Sequence, residues 1–247
     1  MSLGIKVLTL FPEMVRAVLE TSILGRAGRQ GQVVYTVVDI RAYASDRHGT
    51  VDDTAYGGGP GMIMMAPPIV EAVEDNRIAP EAPVVLMTPQ GQRLDEGLVL
   101  ELLREAQAAG EMLVICGHYK GVDERARQLV VTREVSIGDY VLSGGELPAL
   151  VVVDAMVRRL PGVLHDEESA ARDSFTAAAG GGLDAPWYTK PPEYRGLAVP
   201  EVLLSGHHAR IEAWRREQAQ RRTLQRRPDL YRAPAGSSSP VPEESTD

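Results

Sequence analysis

Apolar residues in the first two-thirds of this chain fall into short continuous runs, separated by stretches with helical spacing. Residues 5–10, 33–40, 84–88, 112–116 and 132–137 read as strands. Runs such as Val84-Val85-Leu86-Met87, bounded by turns, suit a parallel sheet covered on both faces. Between them, residues 12–21 form a helix opened by proline, and another helix begins over 67–73. Residues 95–109 are amphipathic, whereas 146–160 are apolar on nearly every side, as in a buried helix. The alternation predicts an α/β unit with a parallel sheet and ligand-accessible loops at its strand ends.

The rhythm breaks at 163–182, a polar and small-residue stretch containing Gly180-Gly181-Gly182, which reads as a mobile linker. Ile211, Trp214 and Ala219 then mark one face of an arginine-rich helix. The predicted organisation is a sheet domain over 1–162, the linker, a small mostly helical domain over 183–232, and a disordered tail over 233–247. No internal repeat is present.

Composition narrows the function classes. No apolar run is long enough to span a membrane and no signal peptide opens the chain, so the expectation is a cytoplasmic protein without a membrane partner. The single cysteine, Cys116, excludes an intrachain disulfide or a cysteine-built zinc site. The five histidines follow no metal spacing, so no metal ligands are assigned. Net charge is −8, which argues against nucleic acid, yet residues 206–232 carry eight arginines against three acids. A local basic face acts within roughly 10 Å whatever the total. A solvated helix surface explains such a face equally well.

The candidate chemistry lies in loops. Thr88-Pro89-Gln90-Gly91, the stretch from Cys116 to Gly121, and Ile137 through Gly145 each follow a predicted strand and each carry glycine. One such loop is an ordinary turn; three at successive strand ends describe a single pocket lined by backbone. Phosphate-binding GxxxxGK[ST] and dinucleotide-binding GxGxxG patterns are both absent. The run Asp52-Asp53-Thr54-Ala55-Tyr56-Gly57-Gly58-Gly59-Pro60-Gly61 adds a backbone-exposed loop behind two carboxylates. Met62 to Met65 read as core filler, and Cys116 as structural.

The stretch Ser136-Ile137-Gly138-Asp139-Tyr140-Val141-Leu142-Ser143-Gly144-Gly145-Glu146-Leu147-Pro148 closely resembles the signature loop of bacterial tRNA (guanine-N1) methyltransferases, the TrmD type of the SPOUT class. The glycine run at 57–61, Arg158-Arg159-Leu160-Pro161-Gly162-Val163, Asp173-Ser174-Phe175, Leu203 to His208, Trp214-Arg215 and Arg226-Arg227-Pro228-Asp229-Leu230 extend the resemblance over roughly residues 4–231. It implies a trefoil knot in the C-terminal part of the sheet domain and a homodimer with shared active sites. S-adenosylmethionine would be held by Met87, Thr88, Pro89, Gln90 and Gly91, by Tyr119 and Gly121, and by Ile137, Gly138, Tyr140, Leu142, Gly144, Gly145 and Pro148. Asp52, Gly59, Pro60, Ser205, His207, Arg226 and Arg227 would meet tRNA.

The resemblance also implies the reaction, methylation of N1 of guanosine 37 beside the anticodon. Asp173 takes the place of the family's general base and Arg158 that of its catalytic arginine. Magnesium dependence comes with the family, without identified ligands here. One position departs from the family: Tyr119-Lys120-Gly121 stands where relatives carry Tyr-Glu-Gly. Lys120 is expected to turn to solvent or to Asp123 or Glu124. Two other readings share the fold, a methyltransferase acting elsewhere on RNA and a non-catalytic RNA-binding protein.

Overall fold

Every apolar run read as a strand enters one sheet. In the computed structural model, which describes residues 2–164 and 173–230, β1 (Leu3–Thr9), β2 (Val33–Asp39), β5 (Val84–Arg93), β6 (Glu111–Cys116) and β7 (Arg133–Ser136) are parallel, in the order β2-β1-β6-β5-β7. Two short strands, β3 (Asp52–Thr54) and β4 (Met62–Met64), form a separate antiparallel pair. The chain divides into two compact units, Met1–His165 and Asp166–Asp247.

Strand alternation decides which core each side chain joins. Met112, Val114 and Cys116 of β6 pack on one face with α1 (Pro12–Leu19), α2 (Ser22–Arg29), α4 (Glu96–Ala109) and α6 (Glu146–Val157). Leu113 and Ile115 point to the other face, toward α3 (Ala66–Asn76) and α5 (Glu124–Val130). With helices on both faces, the central strands need apolar side chains in both directions, which is why their runs are continuous rather than alternating. A buried ion pair, Lys6 Nζ to Glu111 Oε2 at 2.7 Å, ties β1 to β6. Glu111 also accepts from the Ile78 and Ala79 amides at 2.6 and 2.8 Å. Burial pushes its carboxyl up, but these bonds outweigh it and leave the group below its ordinary range.

Several expected boundaries move. The helix opened by Pro12 stops at Leu19, and a second helix starts at Ser22 with Thr21 as its N-cap. β5 runs past Thr88 to Arg93, with an irregularity described below. Helix α6 ends at Val157, although Leu160 beyond it stays buried.

The second unit contains a small hairpin, β8 (Glu193–Tyr194) with β9 (Leu197–Ala198), then α7 (Glu201–Leu204) and α8 (His208–Arg226). Residues 173–182, the described end of the expected linker, carry hydrogen bonds that the linker reading did not anticipate. The Phe175 amide donates to Gly182 O at 2.7 Å and the Gly181 amide to Thr176 O at 2.9 Å. The Leu183 amide then donates to Thr223 Oγ1 of α8 at 2.9 Å. The rest of that stretch, 165–172, and the tail expected to be disordered lie outside the described residues.

Candidate active site

Three strand ends build one pocket, and each wall has a specific cause. The first is a break in β5. Met87 and Gln92 both pair with Val135 of β7, so residues 88–91 leave the ladder between them. Gly91 brings the chain back: a Cβ there would lie 2.3 Å from Val135 N, so no side chain fits.

The second wall is the loop after β6. Strand β4 holds it, because the Met64 amide donates to Gly121 O at 2.9 Å and the Lys120 amide to Met62 O at 3.1 Å. The Asp123 amide returns a bond to Met64 O at 2.9 Å. Met64, taken from sequence as filler, is fully buried and also clamps this loop.

The third wall follows β7. Residues 137–145 fold back on the second loop, with the Gly145 amide donating to Gly117 O at 2.7 Å and His118 bridging Gly144. A Cβ on Gly145 would stand 2.8 Å from Cys116 Cα, so this crossing also requires glycine. The pocket they form is about 400 Å³, within the range that holds a cofactor-sized ligand.

Behind the third wall lies a small group of buried polar atoms. Glu146, in the first turn of α6, is buried and accepts from Thr9 Oγ1 at 2.8 Å. Burial and then the Glu146 charge push the Cys116 thiol well above its ordinary value, so it is no nucleophile. His118 Nδ1 is buried without a hydrogen-bond partner among the described residues. A Cβ on Gly144 would lie 2.4 Å from Glu146 Oε2 and 2.6 Å from His118 Nδ1, so a side chain there would collide with both and this position needs glycine. Glu124 on the rim is held down at about 2, chiefly by its bond to Arg127.

Lys120 is exposed, as expected, but does not pair with the acids beside it. Asp123 binds Arg125 at 2.7 Å, and Glu124 binds Arg127. The Lys120 stem instead lies over Gly61, where a Cβ would meet its Cγ at 2.7 Å. It therefore joins the pocket wall to the glycine loop between β3 and β4.

The family model described as tRNA (Guanine-1)-methyltransferase TrmD matches residues 3–233. The chain belongs to this family. It is 55% identical over 229 residues to a tRNA (guanine-N(1)-)-methyltransferase of Moorella thermoacetica, covering 92% of this chain and 89% of that protein. Proteins of the same name from Lachnospira eligens and Bacillus subtilis are 50% and 49% identical, covering 91% of this chain and 93% and 90% of theirs.

The residues matched to the family's cofactor site converge. Met87, Thr88, Pro89, Gln90, Tyr119, Gly121, Ile137, Gly138, Tyr140, Leu142, Gly144, Gly145 and Pro148 all line the pocket, while Gly91 shapes it from behind. The remaining candidates lie elsewhere. Asp52 opposes Met64 in the β3–β4 pair, and Gly59 and Pro60 sit exposed at the tip of that hairpin. Arg158 caps the C-terminal end of α6, ten residues beyond Pro148. Asp173 opens the turns that lead to α8. Ser205 accepts from the His207 amide at 3.2 Å, and the two form the corner between α7 and α8. Arg226 is exposed on the last turn of α8, whereas Arg227 pairs with Asp229 at 2.7 Å and lies over the Phe175 ring. Beyond the loops read from sequence, the lining takes in Ile63, Leu86, Val122, Glu124, Arg127 and Val135, which sequence reasoning did not assign.

Proposed function

We propose that this chain transfers the methyl group of S-adenosylmethionine to N1 of guanosine 37 in tRNA, in the cytoplasm and as a homodimer. The observation that carries the reading is the pocket itself, where three backbone-rich loops meet at the ends of β5, β6 and β7. Its volume and its lining of apolar side chains and main chain from three glycine-bearing loops fit an adenosyl cofactor. When bound, that cofactor supplies an electrophilic methyl on a sulfonium. The return of residues 137–145 onto the second loop supports the trefoil knot of the family, a topology otherwise nearly absent from proteins.

The chain's own residues must solve one problem: N1 of guanine carries a proton at neutral pH. Asp173 accepts it, a role that contributes roughly 10²–10⁴-fold. Arg158 stabilises the charge that moves to O6 as the proton leaves. The hairpin carrying Asp52, Gly59 and Pro60 stands beside the pocket wall through Lys120 and receives the base, which leaves its stack to enter. Ser205, His207 and Arg226 of the second unit contact the RNA backbone.

Two observations support the dimer. Pro148 lines the pocket, and Arg158 lies about 15 Å further along α6, farther than its side chain extends. This separation supports a reading in which a second copy supplies the arginine. Helix α6 is apolar nearly all round, yet Leu147 and Val151 remain exposed, as do Phe11, Met14 and Val18 of the adjacent α1. A second subunit covers that face. The reading is tested by calorimetric titration of S-adenosylmethionine into the parent protein and Gly144→Val, with circular dichroism to confirm that the variant folds. The added side chain would collide with Glu146 and His118 and displace the third wall. Binding should be present in the parent and at least about tenfold weaker in the variant. Equal affinities would move the cofactor out of this pocket.

A further inference from the structure

The second unit holds a cleft of about 840 Å³ between the turns near Ala178–Asp184 and helix α8. Trp187 stands in its wall, and its ring is fixed twice. The indole Nε1 donates to Asp184 Oδ2 at 2.6 Å, which sets the orientation of the edge. The Arg215 guanidinium lies 4.6 Å from the ring centroid and is itself held by Glu212 at 3.0 Å. Despite these contacts Trp187 is 63% exposed.

A large apolar ring, kept immobile and left open to water, is costly unless something covers it. Arg215 covers one face, so the exposed area belongs to the other face and an edge. An arginine–aromatic stack with a free face is the chemistry that receives an unstacked nucleobase, since every base has a π-face and the cation strengthens the stack. Three acids share the cleft: Asp184 accepts from the Trp187 and Ala185 nitrogens, Glu212 pairs with Arg215, and Glu217 follows on α8, so the platform relies on stacking rather than on local charge. Arg216, also in the wall, and Arg221 and Arg222 further along α8 provide charge for the backbone on either side.

We infer that Trp187, backed by Arg215, is a stacking platform for one unpaired base of the RNA substrate, separate from the pocket that holds the cofactor. This rests on the RNA-methylating function proposed above and adds a base contact to a surface otherwise described by phosphate contacts. The platform predicts dependence on single-stranded character rather than on sequence.

The test uses the full chain with Trp214→Phe, leaving Trp187 as the only indole. A short adenine-only single strand, which requires no tRNA recognition, should quench its fluorescence. A blunt duplex of equal length and inorganic polyphosphate should not. In the parent chain, Trp187→Ala should weaken binding of that single strand and of unmodified tRNA by about tenfold, and Trp187→Phe should restore most of the loss. The salt dependence of tRNA binding should stay unchanged, because stacking releases no counterions. Unchanged affinity in Trp187→Ala, no rescue by phenylalanine, or equal quenching by duplex and single strand would overturn the platform. Methyl transfer to tRNA by the parent protein is followed separately. Its absence with quenching intact would contradict the proposed function and leave the platform standing.

Discussion

At the scale of single residues, the proposed reaction depends on two side chains outside the pocket. Asp173→Asn should leave S-adenosylmethionine affinity unchanged while lowering single-turnover methylation by about 10²-fold or more, because it removes a proton acceptor and no cofactor contact. Near-normal turnover would exclude Asp173 as the base. Lys120→Glu should tighten S-adenosylmethionine binding, since Lys120 is a wall residue whose charge opposes a sulfonium and Asp123 and Glu124 are committed to Arg125 and Arg127. Loss of activity in that variant would instead give Lys120 a positive role. The glycine loops were legible at this scale because glycine marks close approach. His118 was not, because a buried, unpartnered imidazole differs from any other histidine only in its surroundings. Nor was the engagement of Arg227 with Asp229 and Phe175, which makes Arg226 the more available of the two cations.

Elements were read well where burial was two-sided. Continuous apolar runs gave the five parallel strands, since both faces of the sheet are covered. The loop at residues 88–91 was legible, but the return of β5 to its ladder at Gln92 and Arg93 was not, because it rests on backbone contacts that leave no pattern in side-chain polarity. The Lys6–Glu111 pair supports a prediction at this level. Glu111→Gln leaves Lys6 in a buried site without its counter-charge and should cost about 3 kcal/mol in denaturant unfolding. In the parent protein the folded-state value of Glu111 is depressed, so its contribution is present above the ordinary carboxylate range. It should be lost as pH falls through the lowered value, and the variant should show a smaller acid-side decline. Helix α6 carries a second prediction: the parent protein should sediment as the proposed dimer, and Leu147→Glu, on its exposed apolar face, should sediment as a monomer. A variant that remains dimeric would place the interface elsewhere.

For the whole molecule, the account combines the pocket of one chain with the catalytic side chains of another. Gly144→Val and Asp173→Asn should each be strongly impaired alone at cofactor concentrations that the variant pocket does not saturate. After subunit exchange, mixed dimers retain one intact site, and activity should return to about a quarter of the parent level. No return, with exchange verified, would place pocket and base in the same chain. The tRNA substrate was legible only through the family resemblance, because a net charge of −8 points away from nucleic acid and the arginines of α8 could equally have been a solvated face. The most direct measurement is therefore of the product. A tRNA transcript is incubated with the protein and methyl-labelled S-adenosylmethionine, digested to nucleosides, and mapped by position, beside a transcript whose guanosine 37 is replaced by adenosine. The account predicts one N1-methylguanosine at position 37 and no label in the replaced transcript. Label at another position, on another atom of guanine, or retained in the replaced transcript would contradict it.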